Sequence, residues 1–235
     1  MKKITLVMFA SLCMSLLANT SHAGVLLSDL ISGNSLTVGD KVFSNWSTSD
    51  VNGDPVDLDS ISIAGDNSNP LNPGLVYSFA NGSLGSSDPD YFFYDFDISF
   101  TVSTSSNLPL IVGTSLQLTD ATLGNSTDGL VSVLTTYTGL VGSGAEVYLD
   151  SFAGSQASDS LTFAGVASRD VNLNIVVFNN DFISDSVNLA EFRQYFAQSA
   201  SVPAVPEPVS LATWSVLGLA GLGFSRRRRT LPTVS

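Results

Sequence analysis

The stretch FFYDFDISFTV, residues 92–102, alternates apolar and polar side chains along most of its length. Even-numbered positions from Phe92 to Val102 are all aromatic or aliphatic, whereas odd-numbered positions from Asp95 to Thr101 are polar. Because successive side chains of a β-strand point to opposite faces of its sheet, this pattern predicts a strand with one face in a core.

Shorter stretches with a weaker form of the same alternation also predict strands, at about residues 36–46, 60–64, 75–80, 115–118, 130–137, 146–152, 160–163 and 171–178. Segments rich in Gly, Asn, Asp and Ser separate them, for example DNSNPLNPG at 66–74. Many short strands joined by such turns predict an all-β ectodomain over residues 24–198, an antiparallel β-sandwich or a jelly-roll-like relative of it.

Residues 187–198 fit two structures. Their apolar positions Leu189, Phe192, Tyr195 and Phe196 lie on one face of a helix, whereas Ala190, Phe192 and Phe196 lie on one face of a strand that Gln194 interrupts. An all-β body commonly ends by pairing its last strand, so we favour a closing strand and keep the helix as the alternative.

The N-terminus has the pattern of a secretory signal peptide, assigned to residues 1–23. Lys2 and Lys3 precede an apolar run at 4–18, and small residues flank His22 just before the expected cleavage between Ala23 and Gly24. The chain is therefore predicted to be exported.

The C-terminus combines a tether, an apolar segment and a basic cluster. Residues 199–208 are rich in Ala, Ser, Val and Pro, and residues 209–225 carry no charge. The basic cluster comprises Arg226, Arg227, Arg228 and Arg229. Arginines beside a span stay on the cytoplasmic side, so we predict a transmembrane helix at 209–225 with a cytoplasmic tail at 226–235.

The motif Pro206, Glu207 and Pro208, followed by a short span and an arginine cluster, resembles the PEP-CTERM sorting signal of Gram-negative bacteria. The resemblance implies transient anchoring in the inner membrane, processing by the membrane protease exosortase, and delivery to the cell surface or medium. It also implies association with exopolysaccharide and biofilm. An unprocessed C-terminal anchor, which would show the same hydropathy and arginines, stays open as the alternative.

The predicted mature body is strongly acidic. Residues 24–206 contain three basic residues, Lys41, Arg169 and Arg193, against twenty acidic ones, so their net charge is −17 compared with −12 for the whole chain. Such a charge repels nucleic acid and anionic lipid surfaces, so we expect no nucleic-acid partner, but it does not exclude neutral polysaccharide or divalent cations.

The body also lacks histidine and cysteine, two of the side chains that enzymes use most often in catalysis. The only His and Cys of the chain, His22 and Cys13, lie in the predicted signal peptide, so the body contains neither. This excludes nucleophiles paired with His and zinc sites built on His or Cys. Lys41 is expected to be a solvated lysine at a strand end. We therefore predict that the protein is not an enzyme, with a hydrolase based on two carboxylates as the alternative.

One acidic cluster resembles the start of a calcium-binding loop; it comprises Asp50, Asn52, Asp54, Asp57 and Asp59. Its oxygens alternate as in an EF-hand, but Pro55 stands where Gly is needed and Ile61 where a bidentate Glu should sit. We favour a solvated turn and no cofactor, with calcium held by a sandwich loop as the alternative.

A carbohydrate-binding module at the periplasmic face of the inner membrane, with or without calcium, is the competing interpretation of function. An exposed Trp46 on a sandwich face would favour this hypothesis, because aromatic rings stack on sugars, whereas a buried Trp46 would weaken it.

Overall fold

The computed structural model describes residues 24–80, 84–86, 91–104, 109–124, 126–140, 142–180 and 187–199. Within these ranges the strands form two antiparallel sheets that enclose one hydrophobic core. Helical structure in the same ranges is limited to α1 (Leu27–Ile31) and a 3-10 turn, Leu58–Ser60. The predicted all-β body with two antiparallel sheets is therefore confirmed.

The first sheet has, in spatial order, β1 (Val25–Leu26), β4 (Ile61–Asp66), β5 (Gly74–Phe79), β14 (Val187–Gln198), β8 (Ile111–Thr122) and β12 (Ser158–Val166), with β6 (Leu84–Ser86) beside the start of β14. The second has β11 (Gly154–Gln156), β10 (Gly144–Asp150), β9 (Gly129–Tyr137), β13 (Ser168–Asn179), β7 (Phe92–Thr104), β3 (Lys41–Gly53) and β2 (Leu36–Val38). A strand from the C-terminal third of the chain therefore lies near the middle of each sheet: β14 in the first sheet and β13 in the second.

Strand β7 confirms the prediction made from residues 92–102. Phe96, Ile98 and Phe100 are buried, and the intervening polar residues point outward. The ring of Phe100 contacts Phe43 in the same sheet, at 5.9 Å between centroids, and Phe196 in the opposite sheet, at 6.3 Å. Alternation along β7 therefore places the aromatic layer between the sheets.

Two predicted strand boundaries are wrong. Residues 36–46 form two strands, β2 and β3, because Gly39 adopts a positive φ of 59° and reverses the chain there. Phe152, expected at the end of a strand, lies in the turn between β10 and β11 and is 81% exposed. In both cases a tight turn interrupts a run of apolar residues that resembles one strand.

A bulge in β3 determines where Trp46 points. The register with β7 shifts between Ser44 and Ser47, and Asn45 within the bulge has a φ of 56°. The extra residue turns both Phe43 and Trp46 into the core although they are three positions apart. Trp46 is consequently buried and stacked on Phe100, with ring centroids 4.6 Å apart. This position weakens the interpretation of the body as a carbohydrate-binding module, because the Trp46 ring is not exposed to stack on a sugar.

Residues 187–198 form strand β14, as favoured from the sequence. The strand pairs with β5 on one side and β8 on the other, and its register shifts between Leu189 and Phe192. Gln194 faces the core and is fully buried. Its Oε1 accepts a hydrogen bond from the Tyr77 hydroxyl at 3.3 Å, and its Nε2 donates to Thr135 Oγ1 at 3.1 Å, which links the two sheets.

Burial of Tyr77 predicts a loss of stability at alkaline pH. Desolvation raises the pKa of this phenol well above its ordinary value, with a smaller contribution from Tyr137. Above pH ~10 the unfolded chain releases this proton while the folded chain keeps it, so the free energy of unfolding falls by up to about 1.4 kcal/mol per pH unit. We expect Tyr77→Phe to flatten this decline in urea titrations between about pH 9 and 11. An unchanged slope would contradict the assignment.

The signal peptide at 1–23, the tether beyond Ser199, the span at 209–225 and the tail at 226–235 lie outside the described residues. Among the residues that are described, no helix is both long and apolar enough to cross a membrane.

Candidate functional site

Three of the five calcium candidates, Asp50, Asn52 and Asp54, lie at the end of strand β3 or directly after it. Asp50 and Asn52 lie in the last part of β3, where a bulge separates them and they pair with β7. Asp54 follows that strand, and its carboxylate accepts a hydrogen bond from the Phe93 amide at 3.3 Å. The Asp54 carboxylate therefore joins the end of β3 to β7.

The other two candidates serve a different segment. Asp57 caps the 3-10 turn by accepting a hydrogen bond from the Asp59 amide at 3.1 Å, and Asp59 accepts one from the Ser28 hydroxyl. No group of three or more His, Cys, Asp or Glu side chains that could hold a metal occurs in the described ranges. The structure therefore does not gather the five predicted residues into a calcium site.

The hydrolase alternative needs two carboxyl groups facing a cleft. Asp95 and Asp97 point outward from β7, and both accept hydrogen bonds from Asn174 Nδ2, at 2.8 Å and 3.0 Å. In the neighbouring pair, the Ser99 hydroxyl donates a hydrogen bond to Asn172 Oδ1 at 3.0 Å. These carboxylates belong to a ladder of polar pairs on the outer face of the second sheet.

The expectation that Lys41 is solvated is wrong. Its side chain is fully buried, because position 41 opens β3 on the same face as Phe43. The ammonium group donates to Asp40 Oδ1 at 2.7 Å, and the same oxygen accepts a hydrogen bond from Gln198 Nε2 at 2.8 Å. Lys41 thus helps to tie the end of β14 to the turn before β3.

An open groove lies on the outer face of the first sheet. The cavity has a volume of about 460 Å³ and is lined by Asn72, Ser115, Leu116, Gln117, Ser158, Asp159, Ser160 and Tyr195. We call this cavity the Tyr195 groove. Its residues come from β8, β12, β14 and the loop before β5.

The strand register explains the shape of the Tyr195 groove. Tyr195 lies between Gly74 on β5 and Ser115 on β8, and Ser115 is in turn opposite Ser160 on the edge strand β12. The next row places Gln117 opposite Ser158. One large aromatic residue beside a set of small serines produces a depression that extends to the edge of the sheet.

Two contacts fix the Tyr195 side chain. Its hydroxyl donates to Asp66 Oδ2 at 3.0 Å. Its ring packs over Gly74, where an added Cβ would lie 2.6 Å from Tyr195 Cδ1 and 2.4 Å from the Gln194 carbonyl oxygen. The ring therefore needs a glycine beneath it, and its orientation is set before any ligand arrives.

Several polar side chains in the Tyr195 groove are unengaged. Ser115, Gln117, Ser158 and Ser160 make no side-chain hydrogen bond to the rest of the chain within the ranges described. Asp159 is already held, since its two carboxylate oxygens accept from the Glu146 and Ser160 amides at 3.0 Å and 2.8 Å. Three hydroxyl groups and one amide are therefore available to a ligand.

The cation beside the groove is neutralised. Arg193 donates two hydrogen bonds to Glu191 Oε1, at 3.0 Å and 2.9 Å, and lies 3.8 Å from Asp66 Oδ2. Hydrogen bonds with Tyr195 and Glu191 raise the pKa of Arg193. Burial alone would raise the pKa of Asp66, but hydrogen bonds from Ser68 and Tyr195 and the charge of Arg193 lower it overall. Within the described part of the chain, the residues that line the groove therefore include no unpaired positive charge.

Sequence reasoning did not find this groove. Its residues come from four separate segments and form no motif. The one feature that could have pointed to it is the alternation of side chains along β14: if Gln194 faces the core, the next residue, Tyr195, faces outward.

No protein-family profile matches the chain, and no curated protein matches it. Among solved structures, that of TmCBM61 in complex with beta-1,4-galactotriose aligns with 67% of this chain and 90% of its own chain, at 11% identity and a TM-score of 0.28. Similarity at this level shows neither the fold nor a ligand of this chain.

Proposed function

We propose that the protein is an exported surface or extracellular matrix protein of a Gram-negative bacterium, sorted and processed by exosortase. The observation that carries this proposal is the order of three features near the C-terminus: the Pro206–Pro208 motif, the uncharged segment 209–225 and the arginines 226–229. The signal peptide pattern at 1–23 supplies the export route. The chain is held in the inner membrane by the span and then released or transferred to the cell surface.

The position of the last strand supports processing near this motif. β14 lies inside the first sheet, ends at Gln198, and is followed by a hydrogen bond from the Ser199 amide to the Leu110 carbonyl at 2.9 Å. Among the residues that the structure describes, Phe196 is the last one buried in the core. Cleavage near Pro206 would therefore leave every described core residue in the folded body.

The chemistry of the body supports a binding or structural role. Residues 24–206 contain no His or Cys, and the one lysine among them, Lys41, is fully buried. A net charge of −17 keeps this body soluble and away from nucleic acid while allowing contact with neutral exopolysaccharide. We assign it to the exopolysaccharide or biofilm matrix as a non-catalytic component.

Replacing Pro206, Glu207 and Pro208 by alanine tests the motif. We expect the triple variant to accumulate in the inner membrane with its C-terminal tail, because the protease no longer recognises its substrate. Immunoblots of membrane, surface and medium fractions from the native host measure this. Pro203→Ala, a proline change in the same tether but outside the motif, should be processed normally. Release of the triple variant at the level of the unaltered chain would contradict the proposal.

A further inference from the structure

We propose that the Tyr195 groove is a binding site for a neutral saccharide chain. This assignment concerns the outer face of the first sheet and does not depend on how the C-terminus is processed. It names a site and a ligand class for the body, which the sorting signal leaves open.

The size of the groove fits a short run of sugar units. Its volume of about 460 Å³ falls within the range of about 300–1,000 Å³ typical of small-molecule sites. Ser158 and Ser160 belong to β12, the edge strand of the sheet, so the groove reaches the sheet edge. A polymer can therefore lie in it and continue past the edge of the protein.

The available polar groups match sugar hydroxyls. Serine hydroxyls and the Gln117 amide can each donate and accept hydrogen bonds, as sugar hydroxyls also do. Four such side chains face the groove without a partner in the described ranges, and the Asp159 carboxylate, already held by two amides, adds a fixed acceptor. A ligand with many hydroxyl groups satisfies this set, whereas an apolar ligand would leave it unsatisfied.

Tyr195 supplies the apolar part of the site. Its ring is fixed by the Asp66 hydrogen bond and by close packing over Gly74. A tyrosine ring has an apolar body and a polar tip, so it can contact the C–H face of a sugar while its hydroxyl remains hydrogen-bonded. Because the ring is already held in place, binding costs little side-chain entropy.

Charge selects a neutral chain. Arg193, the cation next to the groove, is paired with Glu191 and approaches Asp66, so it offers no free charge to a carboxylate or sulfate. Asp159 lines the groove, and the body carries a net charge of −17. An anionic polysaccharide would therefore be repelled.

The test uses the full chain purified in detergent and calorimetric titration with four probes: cellotetraose, maltotetraose, laminaritetraose and an anionic alginate tetramer. We expect at least one neutral probe to bind and the alginate tetramer not to bind. Ser160→Trp, which fills the groove from an exposed position on β12, should weaken the neutral interaction at least about tenfold. Gln117→Ala should weaken it by a smaller factor.

Ser47→Trp is the matched control, because it makes the same change at an exposed position on the outer face of the second sheet. It should bind the neutral probe like the unaltered chain, and thermal melting should show that both tryptophan variants are folded. No binding by any neutral probe, undiminished binding by Ser160→Trp, or preferential binding of alginate would each overturn the assignment. None of these results affects the processing of the C-terminus, so the two proposals fail separately.

Discussion

Phe192→Ala lowers the free energy of unfolding by about 3–5 kcal/mol, the usual range for removing a phenylalanine from a packed core. Phe192 is fully buried in the centre of the first sheet. Its ring stacks on Tyr77 at a centroid distance of 4.4 Å and an interplanar angle of 8°, and it also contacts Phe79 at 6.3 Å. The substitution removes these contacts and leaves a cavity that the neighbouring strands cannot close.

Urea denaturation of the full chain, followed by tryptophan fluorescence, measures this loss. Phe152→Ala is the matched control, since it makes the same chemical change in a turn where the side chain is 81% exposed. It should change the free energy of unfolding by less than about 0.5 kcal/mol. Equal losses for the two variants would mean that the buried and exposed positions have been assigned wrongly.

Gln194→Leu should cost about 2–5 kcal/mol, because it leaves two buried polar groups without partners. The side chain bridges the Tyr77 hydroxyl on one sheet and the Thr135 hydroxyl on the other, at 3.3 Å and 3.1 Å. Leucine fills a similar volume but offers neither an acceptor nor a donor. Each hydroxyl is then buried without a hydrogen bond, and its loss of hydration destabilises the folded state.

A double-mutant cycle separates the lost hydrogen bond from a packing defect. With Tyr77→Phe in the background, Gln194→Leu should be less destabilising than in the unaltered chain, because the phenol that it orphans is absent. A coupling of about 0.5 kcal/mol or more is expected for residues in contact. Additive effects of the two changes would contradict the bridge between the sheets.

The sequence allowed the strands with strict alternation to be predicted, and it failed where the backbone departs from a regular strand. Residues 94–102 alternate without interruption and form part of β7. The turn at Gly39, the bulge at Asn45 and the register shift in β14 each change which residues face inward. Such irregularities depend on neighbouring strands, which a single stretch of sequence does not specify.

Individual polar residues illustrate the same limit. Lys41 was expected to be solvated and Gln194 to interrupt an apolar strand face, yet both side chains are fully buried. Each has a specific partner: Asp40 for the ammonium group, and Tyr77 and Thr135 for the amide. The Tyr195 groove was inaccessible to sequence reasoning because pairing of β8, β12 and β14 creates it. For the acidic residues between Asp50 and Asp59, closeness in sequence does not mean closeness in space: Asp50 and Asn52 lie on β3, whereas Asp57 caps the 3-10 turn.

The intact mass of the protein from the native host, compared with that from a strain lacking exosortase, tests the central claim most directly. We expect a form that begins at Gly24, ends near Pro206, is found outside the cell and is missing from the exosortase-deficient strain. A chain that retains its tail through Ser235 in the inner membrane of both strains would contradict it and would make the protein a C-terminally anchored periplasmic protein.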